Sequence, residues 1–352
     1  MEFIQNGQAH GDVASTLLHN GFDTHALRPW IGKDGRTYIA RNEGGKLISV
    51  PTQNATATLR KNEWIDLDAA ILIAAKERLK IVADLRGRGL VYNIPNGMGK
   101  TVLESQSQSD ITGAMISMDP SRESEGDRPE FDLVGLPLPV IHKDFSFNAR
   151  QVATSRNMGA GIDVTTAQLA ARRVAEEAEK LTLGVLPKFS YGGGAVYGLT
   201  NFPSRVTTIS LTDPTSSGWT PALLVQELLA MRQASILAHH YGPWALYTSP
   251  AWDQYLDEDY SPLKGDSTVR QRLAVINGIE QITTLDYLTG MQMVLVQMTS
   301  DVIRMVIGMD ITTLQWESQG GMRLNFKVMA IMVPQLRADF NGQTGIVHGV
   351  AA

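Results

Sequence analysis

The sequence predicts an α+β fold built from more than one packed unit, and three observations carry that expectation. Two stretches, 64–90 and 163–184, repeat apolar residues at helical spacing. A stretch near the C-terminus, "MRLNFKVMAIMV", alternates like a strand. Between the two helical stretches, residues 90–148 read as two extended arms around a polar bend. The 352 residues, 43% hydrophobic and 19% charged, are enough for two or three such units.

In chain order, residues 1–62 are mixed and turn-rich, with a short hairpin expected around Lys33-Asp34-Gly35. Phe22, Leu27 and Trp30 are apolar anchors with little local core, which suits an arm that packs on a neighbouring subunit. A helix follows over "WIDLDAAILIAAKERLKIVADLRGRG". Asp66 or Asp68 caps it, Ile71, Leu72, Ala75, Leu79 and Val82 form its stripe, and Gly87 and Gly89 end it.

The bend "DPSRESEGDRPE" sets Asp119, Glu123, Glu125, Asp127 and Glu130 against Arg122 and Arg128, without a large apolar residue, and reads as solvated. In the returning arm, Ile141, Phe145 and Phe147 stand at strand spacing, and Pro137 and Pro139 mark an edge or kink. An isolated two-stranded excursion is marginal in water, so this one makes sense lying on another molecule.

The strongest helix starts at a cap on Asp163 and runs to Gly184, with Leu169, Ala170, Val174 and Leu181 facing inward. Arg172–Glu176, Arg173–Glu177 and Glu176–Lys180 are i,i+4 pairs expected on its wet side. Gly192, Gly193 and Gly194 read as a plain connector.

Helices are then expected from Thr220-Pro221 and from Ser267 to Gly278, with "MQMVLVQM" as a buried strand. "DVIRMVIG" reads as a short helix capped by Thr299 or Ser300. In the alternating stretch Met322, Leu324, Phe326, Val328, Ala330 and Met332 share one face, and Asn341-Gly342 marks the turn of a last hairpin.

Composition and motifs exclude several function classes. "NGMGKT" at 96–101 resembles the tail of a phosphate-binding loop, but the first glycine of that motif falls on Ile94. Pro95 removes an N–H donor, and no helix pattern follows. A turn is the better reading. With no cysteine there are no disulfides, zinc–thiolate sites or cysteine nucleophiles. Adjacent His239 and His240 diverge by about 100° on a helix and do not chelate one metal alone. The acids of "LDEDYS" at 256–261 read as a solvated loop, and the 14 methionines as core filling. No secretory signal and no apolar run of about 18 residues stands out, so no membrane association is expected. A net charge of −5 argues against tight coating of nucleic acid. No catalytic, cofactor or metal residue is singled out, and no enzyme activity is expected.

Five segments together carry a resemblance. They are "VASTLLHNGFDTHALRPW", "VIHKDFSFNARQVATSRNMGAGIDVTTAQLAARRVAEEAEKLTLG", "VYGLTNFPSR", "SDVIRMVIGMDITTLQWE" and the terminal "GQTGIVHG". In this order, spread over nearly the whole chain, they resemble tailed-bacteriophage major capsid proteins, whose fold is shared with encapsulin shells. The resemblance implies an N-terminal arm (1–63), an N-terminal helix (64–90), an extended loop (91–148), a peripheral domain with a long spine helix (149–204 and 310–352) and an axial domain (205–309). It implies a subunit that tiles an icosahedral shell as pentamers and hexamers around packaged dsDNA, without sequence-specific binding. A portal is an implied partner, with scaffolding and decoration proteins as further ones. The implied location is the virion capsid, assembled in the bacterial host cytoplasm. An encapsulin-type compartment loading an enzyme cargo is the alternative. Some capsids of this fold join a loop lysine to a neighbour's asparagine. Lys100, Lys143, Asn325 and Asn341 supply the residue types, but spacing selects no pair, and a noncovalent shell is expected.

Overall fold

The computed structural model describes residues 28–351 apart from 44–45, 53–58, 96, 109–112, 115, 120–127, 129–130, 158–163, 262–266 and 321. Phe22, Leu27, Asp163 and most of the polar bend lie outside the described residues.

The chain opens with β1 (Trp30–Ile31), β2 (Thr37–Glu43) and β3 (Lys46–Pro51), then α1 (Lys61–Lys76) and α2 (Lys80–Gly87). β4 (Val91–Asn93), β5 (Val102–Gln108), β6 (Phe131–Pro137) and β7 (Ile141–Asn148) lead into α3 (Ala149–Asn157) and α4 (Thr165–Leu183). There follow β8 (Phe189–Tyr191), β9 (Gly194–Val196), β10 (Ser210–Leu211), α5 (Pro221–Leu237), β11 (Trp244–Thr248), α6 (Asp253–Leu256) and α7 (Val269–Ala274). The last strands are β12 (Ile279–Thr284), β13 (Gln292–Gln297), β14 (Ile303–Ser318), β15 (Arg323–Leu336) and β16 (Ile346–Ala351). These elements pack as two compact units. One comprises residues 1–101, 138–186 and 304–335, and the other 102–137, 187–303 and 336–352.

In the first unit, β1, β2 and β3 form a small antiparallel sheet, with Trp30 opposite Tyr38 and the expected turn at Lys33–Gly35 between them. A second sheet has the order β4-β14-β15-β7. β15 runs antiparallel to β7, from Arg323 opposite Asn148 to Ala330 opposite Ile141. α4 packs against α1, α2 and β7. The Phe326 ring stacks on Phe145 at 5.1 Å between centroids and meets Phe147 and Trp64 edge-on at 5.8 and 6.2 Å. Aromatic pairs in these geometries add to what area burial alone supplies.

In the second unit a five-stranded mixed sheet has the order β10-β16-β13-β11-β12. α5 lays Leu224, Leu228 and Met231 into a core shared with Trp244, Leu246, Met293, Leu295 and Val347. Its start is as expected: Thr220 accepts the Leu223 N–H at 3.2 Å, and Pro221 supplies a first-turn position that needs no N–H. Every residue of β11 is buried, as a central strand requires.

Several expectations are corrected. The stretch 64–90 is two helices rather than one. α1 begins before Trp64, with the Glu63 carboxylate accepting the Arg60 N–H at 2.8 Å, so Asp66 and Asp68 lie inside the helix and cap nothing. On α4 the buried face is Ala167, Ala170, Ala171, Val174, Ala178 and Leu181, whereas Leu169 is 56% exposed. Leu169 sits about 100° around the helix from Ala170, and the small alanines let a neighbouring helix approach closely. Glu176, expected on the wet side, is buried and bonded to both Arg172 and Arg173, while Lys180 bonds Glu177.

"DVIRMVIG" is the beginning of β14, not a helix. A short apolar run carries no period of its own, and pairing inside a doubly covered sheet decides it. β15 does alternate at its start, but both faces are buried from Val328 to Gln335, and Met322 is exposed. Asn341-Gly342 does make a turn, but the strand after it pairs with β13 and β10, so no last hairpin forms.

Candidate assembly surfaces

β5 and β6 pair antiparallel from Val102 opposite Pro137 to Gln108 opposite Phe131. At the base Leu103 and Leu136 are buried. Outward, β5 turns polar through Ser105, Gln106, Ser107 and Gln108, while β6 keeps Phe131, Leu133 and Val134 and has Asp132 as its one charged residue. Phe131 and Leu133, on one face by strand alternation, are 62% and 64% exposed, and Val134 on the other face is exposed too. Beyond the strands Ile116 and Met118 are fully exposed. Covering one such side chain is worth about 1.5–3 kcal/mol, and an apolar surface gathered on one projection marks an interaction site.

The hairpin is seated by glycines. Gly192 and Gly193, at φ +59° and +79°, form the two-residue turn between β8 and β9, so the run of three glycines is a hairpin turn rather than a plain connector. β9 lies against β6. A Cβ on Gly194 would fall 2.1 Å from the Gly135 carbonyl oxygen, and one on Gly192 would fall 2.9 Å from the Val102 side chain. The segment "NGMGKT" has a similar use. A Cβ on Gly97 would meet the Gly308 backbone at 2.4 Å, and the Ile94 N–H donates to Ile307 O at 2.8 Å. The Gly97 backbone is packed on β14, and Lys100 is exposed.

The first unit also exposes single large apolar side chains. Ile65 and Ile73 on α1, and Leu169 on α4, are exposed. On its buried side α1 holds the incoming chain. Arg28 donates two 2.7 Å hydrogen bonds to Asp68, its guanidinium lies 4.2 Å from the Trp64 ring centroid, and the Trp64 indole N–H donates to Pro29 O at 3.1 Å. Burial pushes the Asp68 carboxyl up, against the pull of Arg28. Sequence reasoning missed this latch, although the signal was there. Asp68 falls on the stripe of Trp64, Leu67, Ile71 and Ala75, and an acid on a buried stripe calls for a buried cation.

Among polar groups in the second unit, Arg270 binds both Asp253 and Asp257, so one acid of the 256–261 loop is in an ion pair. Among the described residues no group of three or more His, Asp or Glu is arranged to hold a metal ion. His239 is exposed at φ +62° just past the end of α5, and His240 is half-buried. Among the described residues no helix is long and apolar enough to cross a membrane.

The architecture and the projecting hairpin define the class: this is the fold of tailed-phage major capsid proteins, shared with encapsulin-type shells, as the sequence resemblance implied. A virus-like particle from Pyrococcus furiosus superposes with a TM-score of 0.56 at 17% identity, over 80% of this chain and 97% of that one. The capsid of Myoviridae phage XM1 gives 0.57 at 9% identity, over 75% and 89%. A structure from Microbacterium phage Oxtober96 gives 0.52 at 11%, over 75% and 90%. At these identities it is the fold that is shared. No curated protein matches the chain. By sequence, the chain belongs to a family of unknown function (DUF6260), matched over residues 54–349.

Proposed function

We propose that the chain is the major capsid protein of a tailed phage, a non-enzymatic subunit that assembles as pentamers and hexamers into an icosahedral shell around dsDNA. The observation that carries this is the β5–β6 hairpin, whose outer apolar residues find no cover in their own unit, in a chain with the capsid fold. In this reading residues 1–63 are the arm, 64–90 the helical segment entering the body, 91–148 the extended loop, 149–204 with 310–352 the peripheral domain and 205–309 the axial domain. Copies cover one another's loops and arms, so many modest interfaces sum to a stable particle. The shell joins a portal, with scaffolding and decoration proteins as further partners, and is built in the host cytoplasm before becoming part of the virion. A net charge of −5 suits a container that does not grip the DNA it encloses. A compartment that loads an enzyme cargo is not favoured.

The test is sedimentation and negative-stain microscopy of the purified chain. Rings, shells or tubes are expected, and a stable monomer at high concentration overturns the reading.

A further inference from the structure

Two acids lie one turn apart on the buried face of α4 and are held in opposite ways. Glu176 accepts hydrogen bonds from Arg172 and Arg173 at 2.8 Å each and lies 3.9 Å from Arg78. Glu179, 2% exposed, forms no ion pair within 4.0 Å among the described residues. Its Oε1 instead accepts the Ile81 N–H at 2.8 Å, beside the amides of Lys80 and Val82 in the first turn of α2. Its Oε2 is buried and meets no hydrogen-bond partner.

Neither protonation state satisfies this carboxyl. As a carboxylate it gains charge-assisted bonds and the positive end of α2, but it is buried with no cation in contact. As an acid it avoids that cost, yet Oε1 becomes a weaker acceptor for the amides of α2. A group balanced in this way responds to small changes in proton activity.

We infer that Glu179 is a proton-controlled latch: α4 holds the first turn of α2 while Glu179 is protonated and releases it when Glu179 ionises.

Burial pushes the Glu179 carboxyl up to about 7, while the amides of Ile81, Val82 and Lys80 and the Lys80 charge pull the other way. The folded value lies above the unfolded one of 4.5. The stability this group lends is therefore complete below pH 4.5 and is lost as pH rises through about 7. Other charged groups on the elements around it are engaged. Arg78 lies against Glu176, Arg88 is paired with Asp84 of α2, and Lys180 bonds Glu177. On α1, Asp68 is paired with Arg28, while Asp66 and Lys76 are exposed. On β7, His142, Lys143 and Asp144 are exposed, and Asp144 pairs with Lys327 of β15. The latch belongs to one subunit. Its use in loosening a shell rests on the capsid reading.

Hydrogen–deuterium exchange of the full chain between pH 5 and pH 8, corrected for intrinsic rates, tests it at the amides of residues 80–82. Wild-type protection is expected to fall by roughly tenfold to a hundredfold across that range and to stay flat in Glu179→Gln. A flat wild-type profile, or the same slope in Glu179→Gln, overturns the latch. Should the Gln variant not fold, Lys80→Met decides instead, since loss of that charge moves the wild-type midpoint upward and an unmoved midpoint overturns the latch. Because the readout is local to one subunit, its failure is distinct from a failure to form particles.

Discussion

Val174 is 1% exposed on the inner face of α4, and Glu177, three residues on, bonds Lys180 on the outer side. Val174→Asp is expected to cost the subunit about 3–5 kcal/mol, because a buried charge would have no partner there. Glu177→Gln should change stability by less than about 0.5 kcal/mol, as for other partly exposed pairs. Denaturant midpoints of the two variants check this, and equal effects would refute the facing of α4. His348 gives a second residue-scale test. Arg205 Nε–H donates to its Nδ1 at 3.3 Å, so its Nε2 carries the proton toward Gln292 Oε1 at 3.0 Å. Burial, and then the Arg205 charge, push its pKa down to about 4. The folded value lies below the ordinary 6.5, so the unfolded chain takes up the proton first. Stability is held above pH 6.5 and lost as pH falls toward 4, and in His348→Gln that loss should be absent from a series of unfolding midpoints against pH. Sequence alone could not mark this histidine, because Arg205 is 143 residues away along the chain.

Among the elements, the β5–β6 hairpin carries the clearest separation of folding from assembly. Its base is buried and its outer part is not. Replacing residues 106–133 with an Asn-Gly turn should leave unfolding midpoints and circular dichroism near wild type while particle formation drops steeply in sedimentation. Loss of the folded state would show that the hairpin is core. How legible each element was follows from where its information lies. The spine helix α4 was plain because a 3.6-residue period of alanines is written locally. Its exact facing was not, because alanine and leucine compete for the same stripe and only the helices and strand packed against it choose between them. β14 was misread because a doubly buried strand and a buried helix look alike over eight residues. The use of Gly135, Gly192 and Gly194 was invisible, since a close backbone approach leaves no periodic trace.

For the whole molecule, the order of parts along the chain identified the fold before any single residue did, while the latches at Asp68 and Glu179 needed the packed structure. Assembled particles are expected to be held without covalent links. Lys100, Lys143 and Asn341 are exposed, and Asn325 Nδ2 donates to Ser318 Oγ at 2.8 Å within its own unit. Particles boiled in detergent should therefore run as a single band near 38.5 kDa, and a ladder of linked subunits would overturn this. The glycine contact at the root of the hairpin sets a tolerance for the particle. Phe131 stands four residues beyond Gly135 along β6, a span of about 13 Å, so tilting the strand by about 10° at that fulcrum swings the ring through about 2 Å. A close-packed seat on a neighbour admits no such error. In the capsid reading, every subunit's lever turns on the same missing side chain, so the alignment of a complete shell is set by a hydrogen atom at Gly194 against the Gly135 carbonyl.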